Sequence, residues 1–201
     1  MRRIRLPSAL LAAAVAAAVT AAPLAAQSEL IALDKVHQLL SGGQARTAAN
    51  TLRQVSVEFR NEIGRCRDEA LGAQLMELEP RVDRLADRIA RGEVGTAAQL
   101  DADFAVIDRL LAVNHIQLAQ TGWGLRRFGR LEGVANDLLA AADYATRAAR
   151  WAHAAPAPEV QAAIDGARAA ATALRASLQA PPAETGAAIE ALAAALKGPA
   201  K

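Results

Sequence analysis

Apolar residues recur along this chain at helical spacing, and nowhere over a useful length at the two-residue spacing of a strand. From residue 44 onward Ala48, Leu52, Val55, Phe59, Ile63, Cys66, Ala70 and Ala73 step by 3 or 4, which keeps them on one helix face. This predicts a long helix from about Gln44 to Leu78. A shorter helix from about Ser28 to Leu40 precedes it and ends at Ser41-Gly42-Gly43, where glycine suits a left-handed cap. Pro80 suits the first turn of a third helix, because its missing N–H would lack an intrahelical partner there. That helix runs to about Arg91 and stops at Gly92. A fourth starts near Thr96, with Leu100, Phe104, Ile107, Leu111 and Leu118 as its stripe.

The stretch from Thr121 to Gly133 holds four glycines, each of which weakens a helix by about 1 kcal/mol relative to alanine. The chain either turns here or brings two helices close together. Helix resumes from about Leu131 to His153, and Ala154-Ala155-Pro156-Ala157-Pro158 ends it. Between Glu159 and Ala180, Val160, Ile164, Ala167, Ala171, Leu174 and Leu178 form a heptad stripe that suits close helix packing. Pro181-Pro182 breaks it, and a last short helix carries Ile189, Leu192 and Leu196 before a Gly198–Lys201 tail. The chain therefore reads as all-α, a helical bundle of five to seven helices.

Segments 49 residues apart echo one another: Leu33-Asp34-Lys35-Val36 and Val82-Asp83-Arg84-Leu85, Gly43 and Gly92, Thr47-Ala48-Ala49-Asn50 and Thr96-Ala97-Ala98-Gln99. A fainter third copy begins at Leu131-Glu132-Gly133-Val134. The echo suggests a duplicated helical hairpin, although the heptad pattern of alanine-rich helices alone supplies several of the matches.

The N-terminus has the three-part layout of a secretory signal: Arg2, Arg3 and Arg5, an apolar run from Leu10 to Ala22, then small residues up to Ser28. The reading assigns 1–26 as signal peptide, with cleavage as late as residue 28, 27–155 as the helical-hairpin region, and 156–201 as a helical segment packing on the same domain. An uncleaved N-terminal anchor is a variant, though the alanine content of the run makes it a weak span. Removing the signal takes away three arginines and no acid, so the formal charge falls from +2 to −1. The positive charge is thus poor evidence for a nucleic-acid partner. Aromatics make up only 3% of the chain.

Little catalytic chemistry is visible. One cysteine, Cys66, excludes a covalent haem motif and an internal disulfide. No Gly-x-Ser-x-Gly, paired Glu-x-x-His or tight Cys/His cluster occurs. His37, Cys66, Met76, His115 and His153 are the possible ligands for a non-covalent haem or a copper ion; His37, Cys66 and His115 are the candidate set, with Cys66 matching His115 at the 49-residue offset. The simpler reading is a buried thiol and boundary histidines. Trp123, Arg126, Arg127, Phe128 and Arg130 concentrate aromatic and arginine side chains, types enriched at interface hot spots. The competing reading is a helix elbow with its aromatics in the core. Together these features point to an exported, periplasmic, non-catalytic binding or scaffold protein without a cofactor. It would meet a protein partner in the cell envelope, with peripheral association with a membrane complex and no nucleic acid. The alternative is a haem- or copper-binding helical bundle.

Overall fold

A computed structural model describes residues 31–126, 129–178 and 181–197. The predicted signal peptide lies outside them. The described chain is an all-helical bundle of seven α-helices: α1 (Leu33–Ser41), α2 (Ala45–Arg65), α3 (Glu69–Ala90), α4 (Asp101–Gly124), α5 (Leu131–Trp151), α6 (Pro158–Ala176) and α7 (Glu184–Lys197). A 3₁₀ turn, Ala97–Leu100, leads into α4. No described helix is long and apolar enough to cross a membrane.

The centre is the antiparallel pair α4 and α5, the most extensive packing in the molecule. Opposed residues run from Asp101 against His153, through Asp108 against Arg147, to Gly122 against Val134. Small residues permit the approach: Ala112, Ala119, Ala135, Ala141 and Ala142 are fully buried, and their short side chains let ridges interlock at small axial separation. α6 packs on α5, α7 fills the space between α6 and α4, and α3 lies antiparallel on α2. Ion pairs from Arg53 to Asp87 and from Arg60 to Glu79 fix the α2–α3 register. α1 packs on α2 and on the 3₁₀ turn and reaches α5 through side chains, His37 beside Trp151, while Ile31 just before α1 lies beside Tyr144.

Three helices end in the same way. Gln44 N–H donates to Leu39 O and Gly43 N–H to Leu40 O; Glu93 donates to Arg88 and Gly92 to Ile89; Ala154 donates to Ala149 and His153 to Arg150. Each is a Schellman cap with a left-handed residue, at φ +73° for Gly43, +72° for Gly92 and +51° for His153. The first two lie at the 49-residue offset, so the echo carries a shared turn geometry. Their surroundings differ: α1 packs firmly on α2, while α3 barely touches α4. The third copy fails, because α5 runs unbroken through Ala141, where its turn would fall.

Two expected boundaries also move. The long helix breaks at 66–68 because Asp68 caps a new one, its Oδ1 accepting from Leu71 N–H at 2.8 Å. The stripe therefore ends near Phe59, and Ala70 and Ala73 are exposed. Pro80 sits inside α3 rather than at its start. It is exposed, so the carbonyl it leaves without a donor can face water. Likewise α6 stops at Ala176, leaving Leu178 on the surface.

Glycine placement yields a stability test. A Cβ at Gly122 would stand 2.7 Å from Val134 Cγ2, whereas one at Gly133 meets nothing within 4 Å. Gly122→Ala should cost about 1–3 kcal/mol through overpacking of α4 on α5, lowering Tm by several degrees in a circular-dichroism melt. Gly133→Ala should leave Tm unchanged or raise it slightly.

Candidate functional site

Charged groups are buried along the α4–α5 seam at heptad spacing. Asp101, Asp108 and His115 follow one another on α4, and Asp137, Tyr144 and Trp151 on α5, so each set lies on one helix face. At the middle, Asp108 has no solvent exposure. Arg147 grips it bidentately, Nε to Oδ2 at 2.6 Å and Nη2 to Oδ1 at 2.7 Å. Trp151 Nε1 donates to Oδ2 at 2.9 Å. Burial pushes the Asp108 carboxyl above its ordinary range, with Arg147 and Trp151 opposing the rise. Burial also acts to lower the Arg147 pKa, but the hydrogen bond and charge of Asp108 outweigh it and the net shift is upward. Arg147 therefore stays charged.

The same guanidinium reaches the N-terminal segment. Arg147 Nη1 donates to Ile31 O at 2.9 Å and lies 3.3 Å from Asp34 Oδ2, and Arg150 also pairs with Asp34. The Tyr144 hydroxyl accepts from Ile31 N–H at 3.1 Å. Burial raises the Tyr144 pKa far above the ordinary phenol value, so the neutral hydroxyl persists.

A histidine cluster lies at each end of the seam. At one end Asp101, buried in the first turn of α4, meets His153 Nε2 at 2.8 Å through Oδ2. His37 Nε2 stands 3.2 Å from Oδ1, an ion-pair distance at which no aligned hydrogen bond forms. The His37 ring packs on Trp151, centroids 4.9 Å apart. At the other end His115 is held between Asp137 (Nδ1, 2.9 Å) and Glu62 (Nε2, 3.3 Å) and stacks on Tyr144. Arg65 bridges the same two acids. Burial acts to lower the Arg65 pKa, and Asp137 and Glu62 outweigh that effect.

The proposed ligands His37, Cys66 and His115 thus occupy three separate settings. Cys66 does not continue a helical stripe. It is the C-terminal cap of α2, with extended backbone at ψ 134°, and its half-buried free thiol points to Asp68 O at 3.3 Å. His115 sits within α4, so the 49-residue match between the two does not correspond to equivalent structure. Among the described residues no group of three or more His, Cys, Asp or Glu could hold a metal ion.

The expected contact segment is brought together in part. The half-buried Trp123 rests against α7, where a Cβ at Gly186 would come within 2.8 Å of Nε1. Arg126 lies over the indole, 4.9 Å from its centroid, and donates to Trp123 O at 3.0 Å. Arg130 is exposed just before α5. Arg127 and Phe128 lie outside the described residues. Leu125, 40% exposed, and Leu178, 42% exposed, add apolar surface where α4 and α6 end. Sequence reasoning missed Leu178 as a surface residue, and it missed the Asp108–Arg147 pair altogether. The seven-residue recurrence of Asp101, Asp108 and His115 was the signal available for the seam.

Searches with protein-family models and comparisons with curated proteins and solved structures found no match to this chain.

The seam makes distinct predictions for its two neutral donors and acceptors. Tyr144→Phe should cost about 1 kcal/mol and speed hydrogen exchange at the Ile31 amide. Trp151→Phe should cost about 1.5–3 kcal/mol, since it removes a donor to a charged acceptor. Urea unfolding measures both. Equal, negligible losses would mean that the two hydrogen bonds contribute nothing to the fold.

Proposed function

We propose that this chain is an exported, non-catalytic helical scaffold that binds a protein partner in the cell envelope, as an accessory subunit of an envelope or membrane complex. The observation that carries this reading is the end of the bundle where α4 and α6 stop: Trp123 capped by Arg126, with Leu125 and Leu178 exposed. Exposed apolar groups beside an aromatic–arginine pair are the composition of an interface core. Burial of the charged seam supports the same reading. Its carboxylates and histidines are taken up by one another and by arginine, so their first role is to hold helices together. The basic leader, apolar run and small residues of 1–28 support export.

A haem or copper reading through His37, Cys66 and His115 gains no support from their separate settings. Placement in the periplasm rests on the leader alone.

Two measurements test the proposal. N-terminal sequencing of the protein recovered from cells should give a chain starting at residue 27 or 29; a full-length membrane-bound product would favour the anchored variant. A photo-crosslinking amino acid at Leu125 or Leu178 should give one discrete adduct in intact cells. The same residue at Val57, an exposed apolar position on α2, should give none. Identical adducts at all three positions, or none at Leu125 and Leu178, would remove this end of the bundle as the contact.

A further inference from the structure

Several surface arginines have acidic partners: Arg53 with Asp87, Arg60 with Glu79, Arg65 with Glu62 and Asp137, Arg91 with Glu93, Arg168 with Asp143. One face of α3 gathers three arginines around a single acid. Arg81, Arg84 and Arg88 follow at i, i+3 and i+7, a spacing that stacks three cations over roughly 10 Å of helix. With Leu85 from the same helix and Asp103 from α4 they line an open hollow of about 290 Å³. Arg81 is held by Asp103, Nη2 to Oδ1 at 2.8 Å. Among the described residues, Arg84 and Arg88 have no acceptor within hydrogen-bond distance. Arg88 also lowers the pKa of Glu93, after the larger effect of Arg91. Like charges one turn apart destabilise a helix, so two guanidinium groups at one hollow carry a cost that an anion would reduce.

We propose that this hollow binds a phosphate-class oxyanion, either as a free phosphate ester or as a lipid headgroup. Guanidinium groups present planar forks of N–H donors that match phosphate and carboxylate oxygens. Forks arriving from Arg84 and Arg88, one turn apart on a helix, suit a tetrahedral acceptor, which offers oxygens in several directions, better than a planar carboxylate. Buried Leu85 gives the hollow an apolar floor, which strengthens charge-assisted hydrogen bonds above it. Asp103 lies on the rim, and its charge is offset by Arg81, leaving Arg84 and Arg88 for the ligand. The site is independent of the proposed contact end. Asp103 and Trp123 are twenty residues apart on α4, about 30 Å along the helix.

The full chain titrated with inorganic phosphate at low salt tests this. Arg84→Gln/Arg88→Gln should weaken binding about tenfold or more. Arg46→Gln/Arg67→Gln removes the same charge from exposed positions elsewhere and should change it by about twofold at most. A second arm compares sedimentation of the same variants with phosphatidylglycerol and phosphatidylcholine vesicles. Retention by phosphatidylglycerol that falls with the Arg84/Arg88 pair assigns the phosphate to a headgroup. Phosphate binding in solution without that preference assigns it to a free ester. Either outcome supports the site. Equal losses in the two variant pairs, or neither phosphate binding nor Arg84/Arg88-dependent vesicle retention by the wild-type chain, would overturn it.

Discussion

The buried pair of Asp108 and Arg147 is the interaction on which the rest of the structure depends. Removing two charges from water costs several kcal/mol per ion, and their attraction offsets this only when the remaining donors and acceptors are also met. Here they are met: two guanidinium nitrogens go to the carboxylate, a third to Ile31 O and Asp34, and the Trp151 indole goes to the carboxylate. Each of these contacts belongs to a different part of the chain. The pair therefore fixes α4, α5 and the start of α1 in a single arrangement. A purely apolar seam of alanines would tolerate sliding, whereas a bidentate pair tolerates one register.

The heptad placement of the other seam groups follows from that register. With Asp108 opposite Arg147, helix geometry places Asp101 near His153 and His115 near Asp137 and Tyr144. His153 takes a left-handed conformation of the kind the corresponding caps give to Gly43 and Gly92. Its contact with Asp101 is a compensation available to histidine and not to glycine. The small residues complete the arrangement, since Gly122 and the buried alanines let α4 and α5 approach closely enough for short polar side chains to meet.

The helices, their order and most of the core were legible in the sequence, because apolar spacing and glycine or proline boundaries report local structure directly. The turns at Gly43 and Gly92 were legible for the same reason. The break at Cys66 was hidden by an apolar stripe that runs on through it; Asp68, a good N-cap residue, was the overlooked sign. The seam was obscured for a physical reason. A charge on a helix normally marks the solvated face, and α4 buries Asp101, Asp108, Asn114 and His115 among its apolar residues, which blurs the contrast on which periodicity depends. The candidate contact residues Trp123 and Arg126 were found by composition alone. Composition could not foresee that α7 would cover part of Trp123.

The central claim is that Asp108 and Arg147 act as one unit, and a double-mutant cycle in urea unfolding tests it most directly. Asp108→Ala and Arg147→Met should each destabilise the protein by about 3–5 kcal/mol, because each strands a buried charge. The double variant should be less damaged than the sum by about 2 kcal/mol or more. Additive losses, agreeing within about 0.5 kcal/mol, would show that the two residues act independently and would contradict the account.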